Sequence, residues 1–281
     1  MKPYTVKILF IFMALLWSGM AAYATRTAAE AYAAGDYDSA IRVWEQERDS
    51  SGVSSSLFYN LGNAYSKVGD QGAAVLNYEK ALRMDPSNKQ ARANLRYTDN
   101  MVQIANESLT DGKNMDPTPA DPGFFDNIGN LVSRLASDTW AIWGAVMFML
   151  SIGCCAAYLF IPNVTVRKVG FFGGAALLAL CTACVWGAVV SKRHALSKDV
   201  CVLMADEAVL MLDPGAGSKA VGTPLSAGTR LKVMGTDKDS DGGEWVQVRE
   251  NGLVWAAHPN YAMTWLPVSD VAIVSVPQLV E

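Results

Sequence analysis

Hydrophobic and polar positions follow three different patterns along the chain, and each pattern predicts a different kind of element. From about residue 25 to residue 105, apolar and small residues recur at three- and four-residue spacing, which indicates amphipathic helices. Two uncharged stretches follow, 139–166 and 169–191, each longer than the roughly 20 residues that cross a bilayer. Beyond residue 199, short alternating runs between turn residues predict β-strands. The predicted fold class is multidomain α + β.

The first 24 residues have the pattern of an export signal. Lys2 and Lys7 make a positive segment, Ile8–Trp17 an apolar core, and Ala22-Tyr23-Ala24 an A-x-A cleavage site, which predicts a signal peptide over residues 1–24. An uncleaved N-terminal anchor is the alternative. On either interpretation, the residues that follow are exported.

Residues 21–54 and 55–88 carry two copies of one helix–turn–helix pattern, and residues 89–105 predict a capping helix. Matching residues lie 34 positions apart: Gly35 and Gly69, Asp36 and Asp70, Ala40 and Ala74, and Trp44 and Tyr78. This period resembles the tetratricopeptide repeat, which implies stacked antiparallel helix pairs over residues 25–105. Gly62 and Ala74 are expected where the helices of the second copy approach most closely. The first copy is degraded.

A linker and a short amphipathic helix are predicted next. Residues 106–123 are rich in Pro, Gly, Asp and Asn and show no apolar period. Over 124–138, apolar residues recur at helical spacing with polar residues between them, which predicts a helix lying in the membrane interface. A soluble helix docked on the repeats is the alternative.

Two transmembrane helices, 139–161 and 169–191, are predicted to form a hairpin with Arg167 and Lys168 in its tight turn. With the repeats exported, this basic turn faces the cytoplasm, as the positive-inside tendency prefers. The basic residues after the second helix oppose that tendency, and the export signal decides the orientation. The prediction is a bacterial inner-membrane protein with the repeats and the C-terminal domain on the periplasmic side.

Small residues recur along the second transmembrane helix, where they allow helix backbones to approach. They are Gly170, Gly174, Ala175, Ala179, Ala183 and Gly187. This stripe is predicted to contact the first helix near Gly153 and Ala157, or else a helix of a partner.

Residues 199–281 predict a small SH3-like β-barrel of five or six strands. The residues that resemble the bacterial SH3-like domain are Gly228-Thr229, Leu231, Val233, Trp245–Val248, Gly252 and Trp265-Leu266-Pro267. Asp237–Gly242 matches the first half of a calcium loop, but Val248 stands where a bidentate Glu is needed. A polar hairpin loop is therefore favoured.

Composition and motifs argue against several functions. The formal net charge of −4 gives no indication of nucleic-acid binding, and four of the five cysteines lie in apolar runs rather than in a disulfide framework. Cys181 and Cys184 form a CxxC, but inside a transmembrane helix they are interpreted as small packing residues. No catalytic or metal-binding motif accompanies His194 or His258. The prediction is a protein that is not an enzyme and needs no metal or cofactor.

The concave face of the repeats is the remaining candidate site for binding a protein. Its predicted residues are Tyr59, Asn63, Ser66, Lys67, Arg92, Arg96 and Tyr97. In the tetratricopeptide family, inner-face Asn and basic residues can hold a peptide carboxylate, and Asn63 matches such an Asn. The first repeat has Ala29 in that place, so an incomplete peptide clamp and a merely solvated face both stay open.

The order of the segments resembles, nearly end to end, the E component of the Bacteroides aerotolerance (Bat) proteins, BatE. The most specific parts are Asn60–Pro86, with the continuation to Leu95, and Trp265-Leu266-Pro267. The resemblance implies an inner-membrane protein that accompanies von Willebrand A-type proteins and a MoxR-type ATPase in stress tolerance. Thr264 departs from the usual Gly before the Trp.

Together these interpretations predict a non-enzymatic, membrane-anchored scaffold whose repeats bind a partner protein. Other membrane-anchored operon products, membrane lipid and peptidoglycan are the candidate partners. Two alternatives stay open: a membrane thiol–disulfide carrier that uses Cys181 and Cys184, and a cell-wall-sensing protein that acts through its SH3-like domain.

Overall fold

The structure is a computed structural model. It describes residues 27–109, 118–119, 128, 131–132, 134–215, 217–250, 253–254 and 264–275. The predicted signal peptide lies outside these residues, as does most of the predicted linker. The chain divides into two compact units. We call them the repeat–sheet unit, which holds Asn88–Pro119, Lys198–Glu281 and the chain up to Met84, and the hairpin unit, which is formed mainly by Ala120–Ser197.

Among the described residues, five helices form the α part of the repeat–sheet unit. They are α1 (27–33), α2 (Tyr37–Ser51), α3 (Ser55–Val68), α4 (Gln71–Met84) and α5 (Lys89–Leu109). The side chain of Ser54 accepts a hydrogen bond from the Leu57 amide and so begins α3. Gly69 ends it in the left-handed conformation, with φ of +88°, where glycine has no steric cost. The last helix continues beyond the predicted boundary at residue 105.

Helices α3 and α4 pack closely because Gly62 has no side chain. A Cβ atom at Gly62 would lie 2.6 Å from the Tyr78 ring, so any larger residue would force the two helices apart. Ala74 is fully buried on the facing helix. The predicted close approach at Gly62 is confirmed.

The β part of the unit is antiparallel. Its strands are β1 (Thr118–Pro119), β2 (Val200–Leu203), β3 (Glu207–Met211), β4 (Ala220–Ser226), β5 (Arg230–Lys238), β6 (Glu244–Glu250), β7 (Leu253–Val254), β8 (Thr264–Pro267) and β9 (Val271–Ile273). Seven of them form one sheet in the order β4-β3-β8-β6-β5-β2-β9, and β1 pairs with β7. The mixed α + β class is thereby confirmed, while closure into an SH3-like barrel stays a prediction.

Side chains from alternate positions of the sheet form one apolar core. Leu203, Leu231, Val246, Val248 and Leu266 are almost fully buried within it. Strands β5 and β6 are joined by a tight polar loop, as predicted, in which Asp239 accepts hydrogen bonds from the amides of Asp241 and Gly243 and from the Trp245 indole. These bonds, the indole bond first, lower the pKa of Asp239.

The hairpin unit contains two helices that are long and apolar enough to cross a membrane. They are α6 (Ser137–Phe160) and α7 (Val164–Leu196). The Asn163 side chain begins α7 by accepting hydrogen bonds from the amides of Thr165 and Val166. Arg167 and Lys168 therefore lie in the first turns of α7, and not in the connection as expected.

The contact between α6 and α7 uses the glycines of the predicted stripe but not its alanines. A Cβ at Gly170 would lie 2.8 Å from the Cys154 carbonyl oxygen, and one at Gly187 would lie 2.8 Å from the Trp140 ring. Ala175, Ala179 and Ala183 are exposed. Nothing lies within 4 Å of the Cβ position of Gly153. The expected contact at Gly153 is replaced by Cys154, and packing of the three alanines on a partner helix stays a prediction.

The predicted amphipathic helix, 124–138, lies mostly outside the described residues. Residues 128, 131 and 132 are helical, whereas residues 134–136 are not. The Trp140 indole donates to the Val132 carbonyl oxygen at 3.1 Å, and the Ser191 hydroxyl donates to the Leu135 carbonyl oxygen at 2.6 Å. This short segment is thus attached to both long helices.

Candidate protein-binding face of the repeats

Asn63 holds the three central helices of the repeats together. The side-chain oxygen Oδ1 of Asn63 accepts two hydrogen bonds. One comes from the Tyr78 hydroxyl on α4 at 2.8 Å, and the other from the side-chain amide of Asn94 on α5 at 2.7 Å. Burial raises the pKa of Tyr78 to about 12, so the hydroxyl stays protonated as the donor. A peptide carboxylate bound here would have to accept from the amide nitrogen of Asn63, because a carbonyl oxygen cannot donate.

The other predicted residues differ in exposure. Tyr59 is half-buried beside Tyr78, with ring centroids 6.4 Å apart, and Ser66 is also half-buried. Lys67 is exposed on the same helix. Tyr97 on α5 is 61% exposed. Of the predicted residues, Lys67, Arg96 and Tyr97 are thus exposed. The other four are half-buried: Tyr59, Asn63, Ser66 and Arg92.

The 34-residue period separates Tyr97 from the two predicted arginines. Tyr97 is 34 residues after Asn63 and so takes its position in the repeat, whereas Arg92 and Arg96 take the positions of Phe58 and Gly62. Phe58 is buried and Gly62 contacts Tyr78, so these two positions face the second helix of the repeat. The register supports Tyr97 as a groove residue and places the arginines on another face of α5.

Two further exposed apolar residues follow Tyr97 on α5 and are not among the predicted site residues. Tyr97, Met101 and Ile104 follow each other at four- and three-residue spacing on α5, and we call them the α5 stripe. Met101 is 39% exposed and Ile104 is 59% exposed. The 34-residue period indicates Met101, because it lies 34 residues after Lys67 and so takes the same position in the repeat. Ile104 lies one helical turn further, beyond the length of the first helix in the other repeats.

The sheet packs against α4 and α5, which the sequence did not predict. Ala74, Val75, Tyr78 and Leu95 share a buried cluster with Val202 of β2 and Val274 after β9. Two glycines permit this approach. A Cβ at Gly228 would lie 2.7 Å from Val102 Cγ2, and one at Gly72 would lie 3.1 Å from the Leu203 carbonyl oxygen. The sheet therefore packs closely against α5 at Gly228 and against α4 at Gly72.

Arg230 of β5 makes ion pairs with both Glu79 of α4 and Asp99 of α5. Its distance to Asp99 is 2.8 Å. Burial disfavours the charged guanidinium, but the two carboxylates outweigh it and raise the pKa of Arg230. At Asp99, burial together with nearby Glu79 outweighs Arg230, and the pKa of Asp99 is raised. The cluster therefore keeps Arg230 charged, whereas the ionised form of Asp99 is less favourable than in water.

Asn106 completes the polar part of this contact. Its side-chain oxygen accepts from the Ser226 amide and hydroxyl, each at 2.7 Å, and its nitrogen donates to the Thr229 hydroxyl at 3.0 Å. These bonds lie in the last turn of α5, where the helix exceeds its predicted length. The sheet thus fixes the end of α5.

The position of the sheet explains how the short repeat array ends. Leu95 takes the repeat position of Leu61, which is buried in a cluster with residues of α1, α2 and α4. Leu95 is buried in a cluster with Tyr78 of α4 and with Val202 and Val274 of the β part. The sheet thus helps to bury the side of the last repeat helix that a further repeat would otherwise cover. Tyr97 lies on an exposed side of the same helix.

The five cysteines form no disulfide in the structure, and Cys184 lies at the contact between α6 and α7. Cys184 packs near Gly144, whose Cβ position is 3.4 Å from the Cys184 Cβ, and no contact favours a thiol–disulfide carrier over a packing role. Within the part of the chain that the structure describes, no group of three or more His, Cys, Asp or Glu side chains is arranged to hold a metal ion.

Comparison with known families assigns the repeat. Residues 55–88 match the family model of the tetratricopeptide repeat. These are the residues of the second predicted copy, from the start of α3 to just beyond α4, and the prediction of a tetratricopeptide repeat is confirmed. No curated protein matches the chain. The class defined by fold and repeat is a protein with a tetratricopeptide module, which in general binds other proteins.

Proposed function

We propose that the protein is a non-enzymatic, membrane-anchored scaffold whose exported repeats bind a partner protein on the face of α1, α3 and α5. The observation that carries this proposal is the exposed α5 stripe. Tyr97 and Met101 of this stripe take the repeat positions of Asn63 and Lys67. The sheet covers a different side of α5. Exposed aromatic and Met side chains at helical spacing suit the apolar anchors of a bound peptide or helix.

In this proposal α6 and α7 anchor the chain in a bacterial inner membrane. The repeats and the sheet lie on the periplasmic side, as the export signal and the basic residues at the start of α7 suggest. The sheet closes as an SH3-like barrel and also holds α5 in place. The Bat resemblance suggests other membrane-anchored operon products as partners, in an assembly with von Willebrand A-type and MoxR-type proteins.

Site-specific photocross-linking tests the binding face. A photoreactive residue at Met101 is expected to give one discrete adduct in membranes that contain the neighbouring operon products, identified by mass spectrometry as a membrane-anchored protein. The same residue at Gln46, which is exposed on α2, is the matched control. Ile104→Asp is expected to abolish the adduct at Met101, whereas Gln46→Asp leaves it unchanged.

Two outcomes contradict the proposal. One is the same set of adducts from Met101 and Gln46, which would show contact without a preferred face. The other is an adduct that persists in the Ile104→Asp variant, since the stripe would then not carry the binding.

A further inference from the structure

A cavity lies at the end of the hairpin unit where α6 passes into α7. Its volume is about 350 Å³. It is lined by Tyr158, Val164, Arg167, Lys168, Phe171 and Phe172. Three of these side chains form a continuous aromatic wall, because the ring centroids of Tyr158 and Phe171 are 5.9 Å apart and those of Phe171 and Phe172 are 5.3 Å apart. The cavity therefore combines an apolar wall with two cations.

Arg167 is held in place by Tyr158. Its guanidinium carbon lies 5.1 Å from the centroid of the Tyr158 ring, in the range of a cation–π contact. A guanidinium stacked on a ring keeps the donors at its edge free to point elsewhere. This arrangement orients the donors of Arg167 without neutralising its charge.

The hairpin supplies no anion for these cations. The sequence contains no Asp or Glu between Asp138 and Asp199, and the ion pairs among the described residues use neither Arg167 nor Lys168. The surroundings are apolar: Phe172 is 69% exposed and Val164 is 65% exposed. The complementary ligand is thus an anion that carries its own apolar chain.

We propose that this cavity binds an anionic phospholipid. Arg167 and Lys168 contact the headgroup phosphate, and Phe171 and Phe172 lie along an acyl chain. The inference rests on the proposed membrane insertion, which brings the start of α7 to the level of the lipid headgroups. Basic pockets between helices at this level bind anionic headgroups, since the membrane surface concentrates them and the low dielectric strengthens each contact.

Lipid retention by the full chain tests the proposal. The protein is purified from mixed phosphatidylcholine and phosphatidylglycerol bilayers, and the lipid that stays bound is quantified by native mass spectrometry. We expect the ratio of phosphatidylglycerol to phosphatidylcholine among the bound lipids to exceed that ratio in the bilayer by roughly tenfold or more, because two basic residues each contribute about 1 kcal/mol. Arg167→Gln with Lys168→Gln is expected to remove the enrichment.

The other end of the same helix provides the matched control. Lys192 and Arg193 are also exposed cations on α7, and neither lines the aromatic cavity. Lys192→Gln with Arg193→Gln is expected to keep the enrichment. An equal loss in both double variants would show general charge attraction and would overturn the proposal, as would enrichment that survives Arg167→Gln with Lys168→Gln.

Two further arms separate the remaining explanations. An excess of inorganic phosphate is expected to leave the bound lipid in place, and displacement by phosphate would show a site for soluble anions instead. Resistance to alkaline carbonate extraction tests membrane insertion by itself. An inserted chain without enrichment overturns only the lipid site, whereas an extracted chain overturns the proposed anchor as well.

Discussion

The contact between α6 and α7 and the contact between the repeats and the sheet both depend on glycine, yet they are built differently. In the hairpin, Gly170 meets the backbone of Cys154, and most other side chains of the two helices are apolar and exposed. In the repeat–sheet unit, Gly228 meets Val102 next to the ion pairs of Arg230. The first contact relies mainly on close packing, as expected where lipid gives no hydrophobic drive, with one hydrogen bond from the Ser151 hydroxyl to the Gly174 carbonyl oxygen. The second contact adds ion pairs and several hydrogen bonds.

The difference shows how each contact is specified. The hairpin helices follow each other in sequence, so the short connection between Phe160 and Val164 brings them together. Arg230 pairs with Glu79 across 151 positions of the chain, with the whole hairpin between them. A contact of that kind needs directional groups, because chain connectivity does little to align the two surfaces.

The largest effect is expected from Gly228→Ala in the repeat–sheet contact. Gly228 has φ of +88°, and its Cβ would lie 2.7 Å from Val102 Cγ2 and 3.2 Å from the Gln71 carbonyl oxygen. Strain and overpacking together are expected to lower the free energy of unfolding by about 3 kcal/mol. Denaturant unfolding of the full chain in detergent, followed by tryptophan fluorescence, measures this loss.

Gly242→Ala is the control for backbone strain. Gly242 has a similar φ of +84°, but nothing lies within 4 Å of its Cβ position, so a loss of about 1 kcal/mol is expected. Equal losses of stability in the two variants would mean that Gly228 is needed for its positive φ and not for the close contact with Val102.

Arg230→Met is expected to have the next largest effect. It leaves Glu79 and Asp99 as two half-buried carboxylates without their shared cation, and we expect a loss of about 2 kcal/mol. Lys238→Met, at the other end of β5, breaks the exposed pair with Glu244 of β6 and should cost less than about 0.5 kcal/mol. Similar losses in the same unfolding experiment would show that the Arg230 cluster is no more than a surface pair.

In the hairpin, Gly170→Ala is expected to weaken the helix contact by about 1–2 kcal/mol, because its Cβ would meet the Cys154 carbonyl oxygen at 2.8 Å. Gly153→Ala meets nothing and should stabilise α6 by up to about 1 kcal/mol through helix propensity. Unfolding of the purified chain by sodium dodecyl sulfate, followed by circular dichroism, compares the two. A stabilising Gly170→Ala would contradict the packing described for this contact.

The smallest effect concerns pH. Burial, together with Glu79, raises the pKa of Asp99 above its ordinary value of 3.8 despite Arg230. The folded state then binds a proton more tightly than the unfolded state, so Asp99 costs stability as pH rises from about 3.8 through the raised pKa. Unfolding free energies of the native chain should therefore fall relative to Asp99→Asn across this range. The opposite trend would mean that Arg230 outweighs burial.

Local patterns in the sequence were sufficient for the repeat and for the two apolar helices, but not for the orientation of their small residues. Ala175, Ala179 and Ala183 follow each other at four-residue steps, which drift by about 40° around a helix at each step. The structure instead uses Gly170, Gly174, Cys184 and Gly187, because helices that pack side by side need steps of three and four residues in alternation. The cysteines of the CxxC thus include a packing residue of this contact.

The candidate protein-binding site stays a prediction. The repeat register predicts four groove residues, with Tyr97 of the capping helix nearby, and Arg92 and Arg96 are predicted from their charge. The four are Tyr59, Asn63, Ser66 and Lys67. Their contact with a partner stays a prediction. The repeat period also indicates Met101, which lies 34 residues after Lys67. The period does not predict the hydrogen bond from Asn94 to the Asn63 side chain, because Asn94 belongs to the following helix.

The sequence by itself determined the repeat, the apolar helices and most strands, because each follows from the alternation of polar and apolar residues over a few turns or pleats. Only the tertiary structure decided that the sheet covers α4 and α5. Arg230, Glu79, Asp99 and Asn106 each look like ordinary surface residues within their own segments. Their roles depend on partners more than 100 residues away, and no local period carries that information.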